Sequence, residues 1–417
     1  MAETGSPFHR GEQAIQERLG VRDRIERQGR RMIRDHLTEE HQAFFIQLPL
    51  LIAGSVDAHG RPWASALVGE PGFIDTSDPR RLTVTTRTVY GDPLDEALVE
   101  GAEIGLLGIE FDSRRRNRVN GRVVRRDTDG FEIAVAQSFG NCPKYIQARG
   151  YRLGDDISTI GAWRPVDRGA ALDKDAAAMI ARADTLFIAS HFTGDAGEAN
   201  QGVDVSHRGG KPGFALVAHE TLLLIPDYAG NCMFNTLGNI EAEPKCGLLF
   251  VDFEGGDTLQ LSGEAEILWG AEHTRRFPGA QRVLAFQIDE TLQIERALPI
   301  AWTFEGYSPA FDKLEPDADD GAVAEQHRPT RLRSVNVSMP KEVVHDGKLV
   351  TTGIFKQPVE SRVMLRRLNL DGDGQADLWG HGGTFRAVYV YSYDNYAPWA
   401  EELGRDDFTY GQFGENF

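Results

Sequence analysis

The sequence predicts a mainly β (α+β) chain in which two similar halves form small barrels packed as an intrachain pseudo-dimer. Internal similarity is the first observation. WASALVGEPGF (63–73) parallels DVSHRGGKPGF (204–214) at an offset of 141, GLLGIEF (105–111) parallels GLLFVDF (247–253) at 142, and VNGRVV (119–124) parallels LSGEAE (261–266), again at 142. Three matches in one order at a nearly constant offset mark a duplication. The second observation is strand patterning. RLTVTTR (81–87), IGLLGIEF (104–111), TLLLI (221–225), CGLLFVDF (246–253) and TLQLSGEAEIL (258–268) are short apolar runs bounded by Gly, Pro and Asp, as closely spaced strands are. The third is bulk: 417 residues exceed one ordinary core, and 41% apolar with 26% charged residues is a globular composition. Two like halves then bury their faces against each other, as homodimers do.

In chain order, residues 1–40 form an N-terminal helical segment, where Ile15, Leu19 and Ile25 in an Arg-, Glu- and Gln-rich stretch predict a helix over 10–36. Residues 41–170 make the first half and 171–314 the second, entered by a helix over 172–184. EPDADDGAVAEQHRPT (315–330) is acidic and poor in large apolar residues, which predicts a linker, and the pattern changes again over 331–417. No run approaches the roughly 18 consecutive apolar residues of a membrane span, and the N-terminus lacks the apolar region of a secretory signal. The three cysteines, Cys142, Cys232 and Cys246, include no C-x-x-C pair. These features point to a reduced, cytoplasmic setting, without membrane association or structural zinc. With 45 basic against 63 acidic residues and a formal charge of −18, the composition argues against a nucleic-acid surface.

The halves part where charge matters. Ser65 aligns with Ser206, but Leu67 stands in the place of Arg208 and Glu70 in the place of Lys211. A carboxylate repels a phosphate where an ammonium attracts it. The second half also holds MFNTLGN (233–239), with amides and a hydroxyl able to bind an anion, whereas the matching stretch between Gly91 and Gly105 is shorter and reads DPLDEALVE. The second half thus reads as an anion site and the first as its degenerate copy. The alternative is a duplicated turn whose cations face solvent. RRRNR (114–118) is the one dense basic cluster, matched either to acidic neighbours and the opposite barrel or to an anionic ligand. Cys142 in FGNCPKYIQ lies near Lys144, which favours a thiolate, but has no partner cysteine or assigned base. DGDGQAD (371–377) fails as a calcium loop, because Gln375 and Ala376 occupy positions 5 and 6. HGG (381–383) beside Arg386 reads as an anion cradle or as a glycine turn.

GRPWAS, GEPGF, RRRNRVNGR, FGNCPKYIQ, DVSHRGGKPGF and FNTLGNI together resemble the pyridoxamine 5′-phosphate oxidase-like split barrels, in the tandem version with both halves in one chain. The resemblance implies two split β-barrels with FMN at their interface, and the absence of cationic counterparts to Arg208 and Lys211 in the first half implies one FMN per chain. Carried over by position, Ser206, Arg208, Lys211, Asn235, Thr236 and Asn239 would contact the phosphate and ribityl chain. Trp63 and Ser65 would contribute from the facing half. An FMN-dependent oxidoreductase acting on a small molecule follows, with no catalytic acid or base identified. A reductase or ferredoxin electron donor and a homodimer fit the same picture.

TGIFKQPV, GDGQAD, HGGTFRAVYVYSYDNYAPW and FGENF resemble the start of a MOSC domain, a β-barrel module linked to molybdenum-cofactor enzymes. The matching residues are Lys356, Asp377, His381, Gly382, Gly383, Arg386, Tyr391, Glu415 and Asn416. That family's molybdenum-coordinating cysteine lies beyond FGENF, and no cysteine follows Cys246. The resemblance therefore implies molybdenum cofactor only in a longer form. Two other readings stand: a non-catalytic flavin- or anion-binding scaffold, and MOSC-linked reduction or sulfur transfer as the principal activity.

Overall fold

The structure is a computed structural model that describes residues 5–154, 156–194, 200–314, 332–345, 348–366, 369–374 and 376, with shorter pieces between 388 and 417. The linker expected at 315–330 lies outside the described residues, as do Asp377, His381, Gly382, Gly383 and Arg386. The chain divides into two compact units, Met1–Asp320 and Gly321–Phe417.

The first unit opens with α1 (Arg10–Arg18), α2 (Arg22–Met32) and α3 (Glu39–Ile46). The single helix expected over 10–36 is broken, because Gly20 takes φ 67 after Leu19 and ends α1. A capping box starts α1: Gly11 N donates to His9 Nδ1 at 3.1 Å and His9 N donates to Glu12 Oε2 at 2.9 Å.

Then follow β1 (Leu50–Val56), β2 (Pro62–Val68), β3 (Ile74–Asp75), β4 (Arg81–Val84), α4 (Leu94–Ala97), β5 (Glu103–Glu110), β6 (Arg115–Asp127), β7 (Gly130–Gly140) and β8 (Ala148–Leu153). After β9 (Val166–Gly169) and α5 (Lys174–Arg182), the second half repeats the series. It comprises β10 (Thr185–Phe192), β11 (Gly202–Gly209), β12 (Leu216–His219), β13 (Leu222–Tyr228), α6 (Asn235–Ala242), β14 (Lys245–Val251), β15 (Thr258–Leu268), α7 (Ala271–Thr274), β16 (Ala280–Ile294) and β17 (Ile300–Gly306). The first sheet runs β2-β1-β5-β6-β7-β4-β3 and the second β11-β10-β14-β15-β16-β13-β12, the same path strand for strand, with β9 added on β16. Every pairing is antiparallel. Neither path closes on itself, so these are open sheets rather than closed barrels. Each nevertheless wraps one core, as Leu51, Leu67, Ile74, Leu82, Ile104, Val119 and Phe131 from all seven strands of the first meet in one cluster.

Each matched motif has a structural cause. In the PGF turns Gly72 and Gly213 take φ 101 and 86, which only glycine adopts without strain. Gly105 and Gly247 sit where each half meets the other: a Cβ at Gly105 would run into the Val203 carbonyl, and one at Gly247 into the Pro62 carbonyl. The third match is a β-bulge, at Asn120/Gly121 in one sheet and Ser262/Gly263 in the other. Between the halves Leu50, Ile52, Ala64 and Ala66 pack with Phe187, Ala189, Val205 and Leu249. This second burial explains why strands such as LLIAGSV show no polar face. β8 and β17, the last strands of the two halves, pair with each other from Leu153↔Ile300 to Ala148↔Gly306.

In the second unit β18 (Asn336–Val337) pairs with β21 (Gln357–Pro358), and β19 (Lys341–His345) with β20 (Lys348–Thr352). Buried Asp373 organises it, taking Lys356 Nζ at 2.5 Å, the Ser338 amide at 2.9 Å and Asn416 Nδ2 at 2.9 Å. Lys356 and Asn416 thus meet on a carboxylate that the sequence offered only as part of a failed calcium loop.

Candidate functional site: an arginine-lined cleft between the halves

The cleft forms where β6 of the first half crosses β11 and the N-terminus of α6 in the second. Among its lining residues are Arg116, Arg118, Cys142, Lys144, Tyr145, Ser206, His207, Arg208, Asp227, Tyr228, Phe234, Asn235 and Thr236. Arg118, 2% exposed, donates to Asp204 Oδ1 at 2.8 Å and to Ser206 Oγ. Thr236 Oγ1 donates to the same Ser206 oxygen at 2.9 Å. Arg208 pairs with Asp227, which also faces Arg282 Nε at 3.2 Å. Arg116 donates to the Cys142 carbonyl at 2.8 Å and to His207 Nδ1 at 3.0 Å. Because an arginine cannot accept, His207 receives on Nδ1 and is the neutral tautomer bearing hydrogen on Nε2. Burial, then Arg116, Arg149 and Arg208, hold its pKa well below the usual histidine value.

The charge balance is cationic. Arg116, Arg118, Arg208 and Arg282 face Asp204 and Asp227, a surplus of two positive charges. Glu12 adds little negative charge at neutral pH, because burial and then Asp204 raise its pKa to about 8. Arg116 is lowered to about 10, first by burial and further by Arg118 and Arg208. Donors are also in excess: Arg118 Nε, Arg208 Nε, Asn141 Nδ2 and His207 Nε2 are buried without partners among the described residues. Helix α6 has no side-chain cap, and its N-terminus opens on the same space. Such a terminus favours an anion.

Strain collects here too. Of the five described non-glycine residues with positive φ, Tyr145, Cys232 and Phe234 line the cleft. Each costs on the order of 1–3 kcal/mol, a cost typical of functional sites. One wall is aromatic, with Tyr145 and Tyr228 ring centroids 5.2 Å apart and Phe311 5.4 Å from Tyr145.

The structure gathers Ser206, Arg208, Asn235 and Thr236 around this cleft. Asn239 lies deeper, bonded to His9 Nε2 at 2.7 Å, Ser190 Oγ at 2.9 Å and Asp204 Oδ2 at 3.0 Å. Asn235 donates to Glu12, so α1 braces the terminus of α6. Lys211 is exposed in the turn after β11 and is not among the lining residues. Trp63 and Ser65 also lie outside: Trp63 Nε1 donates to Asp57 at 3.0 Å, and Ser65 Oγ to Asp92 at 2.6 Å. The facing half contributes Arg116 and Arg118 instead. RRRNR was the signal for them, but nothing in its spacing says that two of its arginines cross to the other half.

Ser65 lies behind the counterpart cleft of the first half, bonded to Asp92, which lines it. There Gln260, aligned with Arg118, reaches Ser65 Oγ at 3.1 Å and Asp92 Oδ2 at 3.2 Å. That cleft is the roomier, about 960 Å³ against about 110 Å³. Chemistry ranks the two the other way. Arg61, Arg87, Arg126 and Arg168 line the roomier cleft, but each faces a carboxylate (Asp57, Asp129, Asp95 and Glu290). Beside Ser65 a glutamine and a buried carboxylate replace an arginine and a threonine. Burial raises the Asp92 pKa to about 6, so it is charged at neutral pH and repels a phosphate.

Residues 377–417 match the family model of the MOSC domain. Among curated proteins, the chain is 48% identical over 83 residues to the uncharacterized protein YflK of Bacillus subtilis (strain 168), covering 20% of this chain and 37% of that one. It is 39% identical over 67 residues to protein YiiM of Escherichia coli (strain K12), covering 16% of this chain and 30% of that one. The chain thus spans about a third of the length of the curated relatives it matches. Among solved structures, it is similar to HupZ of Group A Streptococcus, at 16% identity and TM-score 0.22 over 33% of this chain and 98% of that one. It is also similar to a putative pyridoxamine 5′-phosphate oxidase of Lactobacillus delbrueckii, at 20% identity and TM-score 0.21 over 25% of this chain and 95% of that one. At these scores the structural likenesses add nothing to the strand order and cleft chemistry described above.

Proposed function

We propose that the first unit binds one flavin mononucleotide in the arginine-lined cleft and acts as an FMN-dependent oxidoreductase on a small molecule. The observation that carries this reading is the surplus of two positive charges beside an uncapped helix terminus, with buried donors left unpartnered. A phosphate dianion supplies the missing charge and acceptors together. Arg118, Arg208, Ser206 and Thr236 would hold the phosphate, with Arg116 closing it from the first half. The aromatic wall of Tyr145 and Tyr228 favours a ligand that joins a planar ring to that phosphate. When bound, the flavin would supply electron exchange with the substrate; the protein's part is to position it and exclude water. A reductase or ferredoxin electron donor and a cytoplasmic setting belong to the same proposal. Among the described residues, no helix is long and apolar enough to cross a membrane.

Titration of ligand-free protein with FMN, followed by flavin fluorescence and by bleaching of the bound flavin with a reductant, tests the proposal. Saturable, reducible binding is expected; no uptake would favour the non-catalytic anion-binding scaffold. The MOSC match supports a second role, in which residues beyond 377 belong to molybdenum-cofactor chemistry. For the 417-residue form, elemental analysis from a cofactor-producing host is expected to find no stoichiometric molybdenum, as no cysteine follows Cys246. Stoichiometric metal would mean another ligand holds it.

A further inference from the structure

Cys142 and Cys232 both line the arginine cleft, each half-buried and unpaired. Their surroundings differ. Arg116, which holds the Cys142 carbonyl at 2.8 Å, has no carboxylate partner among the described residues. Arg282, the cation whose field includes Cys232, is opposed by Asp227 at 3.2 Å. Lys144 lies two residues from Cys142 on the same cleft wall. Independently, Arg118 has a side chain 3% exposed whose terminal nitrogens bond Asp204 and Ser206 while its Nε has no partner among the described residues, so the cleft keeps a buried donor for an incoming anion.

We propose that Cys142 is a modification site for small anionic disulfides, and that its modification and the binding of a phosphate ligand exclude each other. The step is thiol–disulfide exchange. The Cys142 thiol gives its proton to solvent, and Sγ attacks one sulfur of the incoming disulfide. A new S–S bond forms as the old one breaks, and the departing half leaves as a thiolate with the electron pair. The disulfide is itself the oxidant, so no further reagent is needed. Arg116, which has no carboxylate partner among the described residues, and the cleft's surplus of positive charge draw the anionic disulfide in and stabilise the leaving thiolate, while a flavin or phosphate would occupy the same cations. The proposal rests on the cationic cleft, whatever phosphate-bearing molecule it takes.

The test uses the full chain stripped of ligand. It is reacted with dithiobis(nitrobenzoate), a dianionic aromatic disulfide, and with uncharged dithiodipyridine, at low and high salt, and the labelled peptides are mapped by mass spectrometry. Cys142 is expected to label first, and the anionic-to-uncharged rate ratio to fall about tenfold or more at high salt, as electrostatic steering does. Cys142→Ser should remove the fast phase and Cys232→Ser should keep it. Arg116→Gln should lower the ratio at low salt without accelerating the uncharged reagent, whereas simple unfolding would speed both. Pyrophosphate and FMN should each slow labelling. First labelling at Cys232, or a ratio indifferent to salt, overturns the assignment. FMN that binds, judged by its fluorescence, without slowing Cys142 overturns the exclusion. Protection by pyrophosphate with no FMN binding would uphold this site and sink the flavin proposal alone.

Discussion

Replacing Arg208 with alanine separates a ligand-binding arginine from one that only supports the fold. Arg208 is paired with Asp227, and Asp227 also faces Arg282 Nε at 3.2 Å. Truncation therefore leaves the carboxylate with a cation, and the local surplus falls from two charges to one. A bound phosphate would lose one or two charge-assisted hydrogen bonds, each about 1.5–3 kcal/mol net. Since about 1.4 kcal/mol is tenfold, Arg208→Ala should weaken FMN binding by roughly one to two orders of magnitude. Riboflavin, which has no phosphate, should lose far less. The assay is flavin fluorescence titration of both ligands against wild type and variant, with Leu67→Ala, at the aligned position in the first half, as control. Equal losses for FMN and riboflavin would refute the reasoning and make the arginine a brace for Asp227.

Flavin released from saturated protein should equal one per chain, because Gln260 and Asp92 stand in the first half where Arg118 and Thr236 stand in the second; a ratio near two would contradict this. Gly247→Ala should lower the denaturant midpoint by an amount equivalent to about 1–3 kcal/mol, since its Cβ would meet the Pro62 carbonyl across the interface; an unchanged midpoint would show a slack contact. Glu12, with its pKa raised to about 8 mainly by burial, binds its proton more tightly folded than unfolded. Stability should therefore decline as pH rises from the ordinary carboxyl range to about 8, by on the order of a few kcal/mol, and level off above. Glu12→Gln should flatten that decline in urea titrations across pH; an unaltered slope would mean that another group titrates.

The duplication was legible because its marks are local necessities: a positive-φ glycine in each turn, a glycine at each close approach and a bulge at the same strand position. The asymmetry of charge was legible from Leu67 against Arg208. Contacts between halves were legible only in kind: RRRNR fits acidic neighbours and the opposite barrel or an anionic ligand, but does not say which of its arginines cross. Arg116 and Arg118 belong to a first-half strand but serve the second half, and alignment of one half on the other hides any contact made across the interface. Lys211 drew attention by its contrast with Glu70 and by position in the resemblance, and the turn carries it to the surface. Asn239, read as a ligand contact, is engaged by His9, Ser190 and Asp204, because the N-terminal helix docks on α6. That docking joins segments some 230 residues apart, and no local pattern records it.

The most direct measurement is a crystal structure of the protein with FMN. The phosphate should lie against Arg118, Arg208 and Thr236 at the N-terminus of α6, with Arg116 reaching it from the first half. A flavin seated in the counterpart cleft beside Asp92, or a phosphate pointing to solvent, would contradict the account.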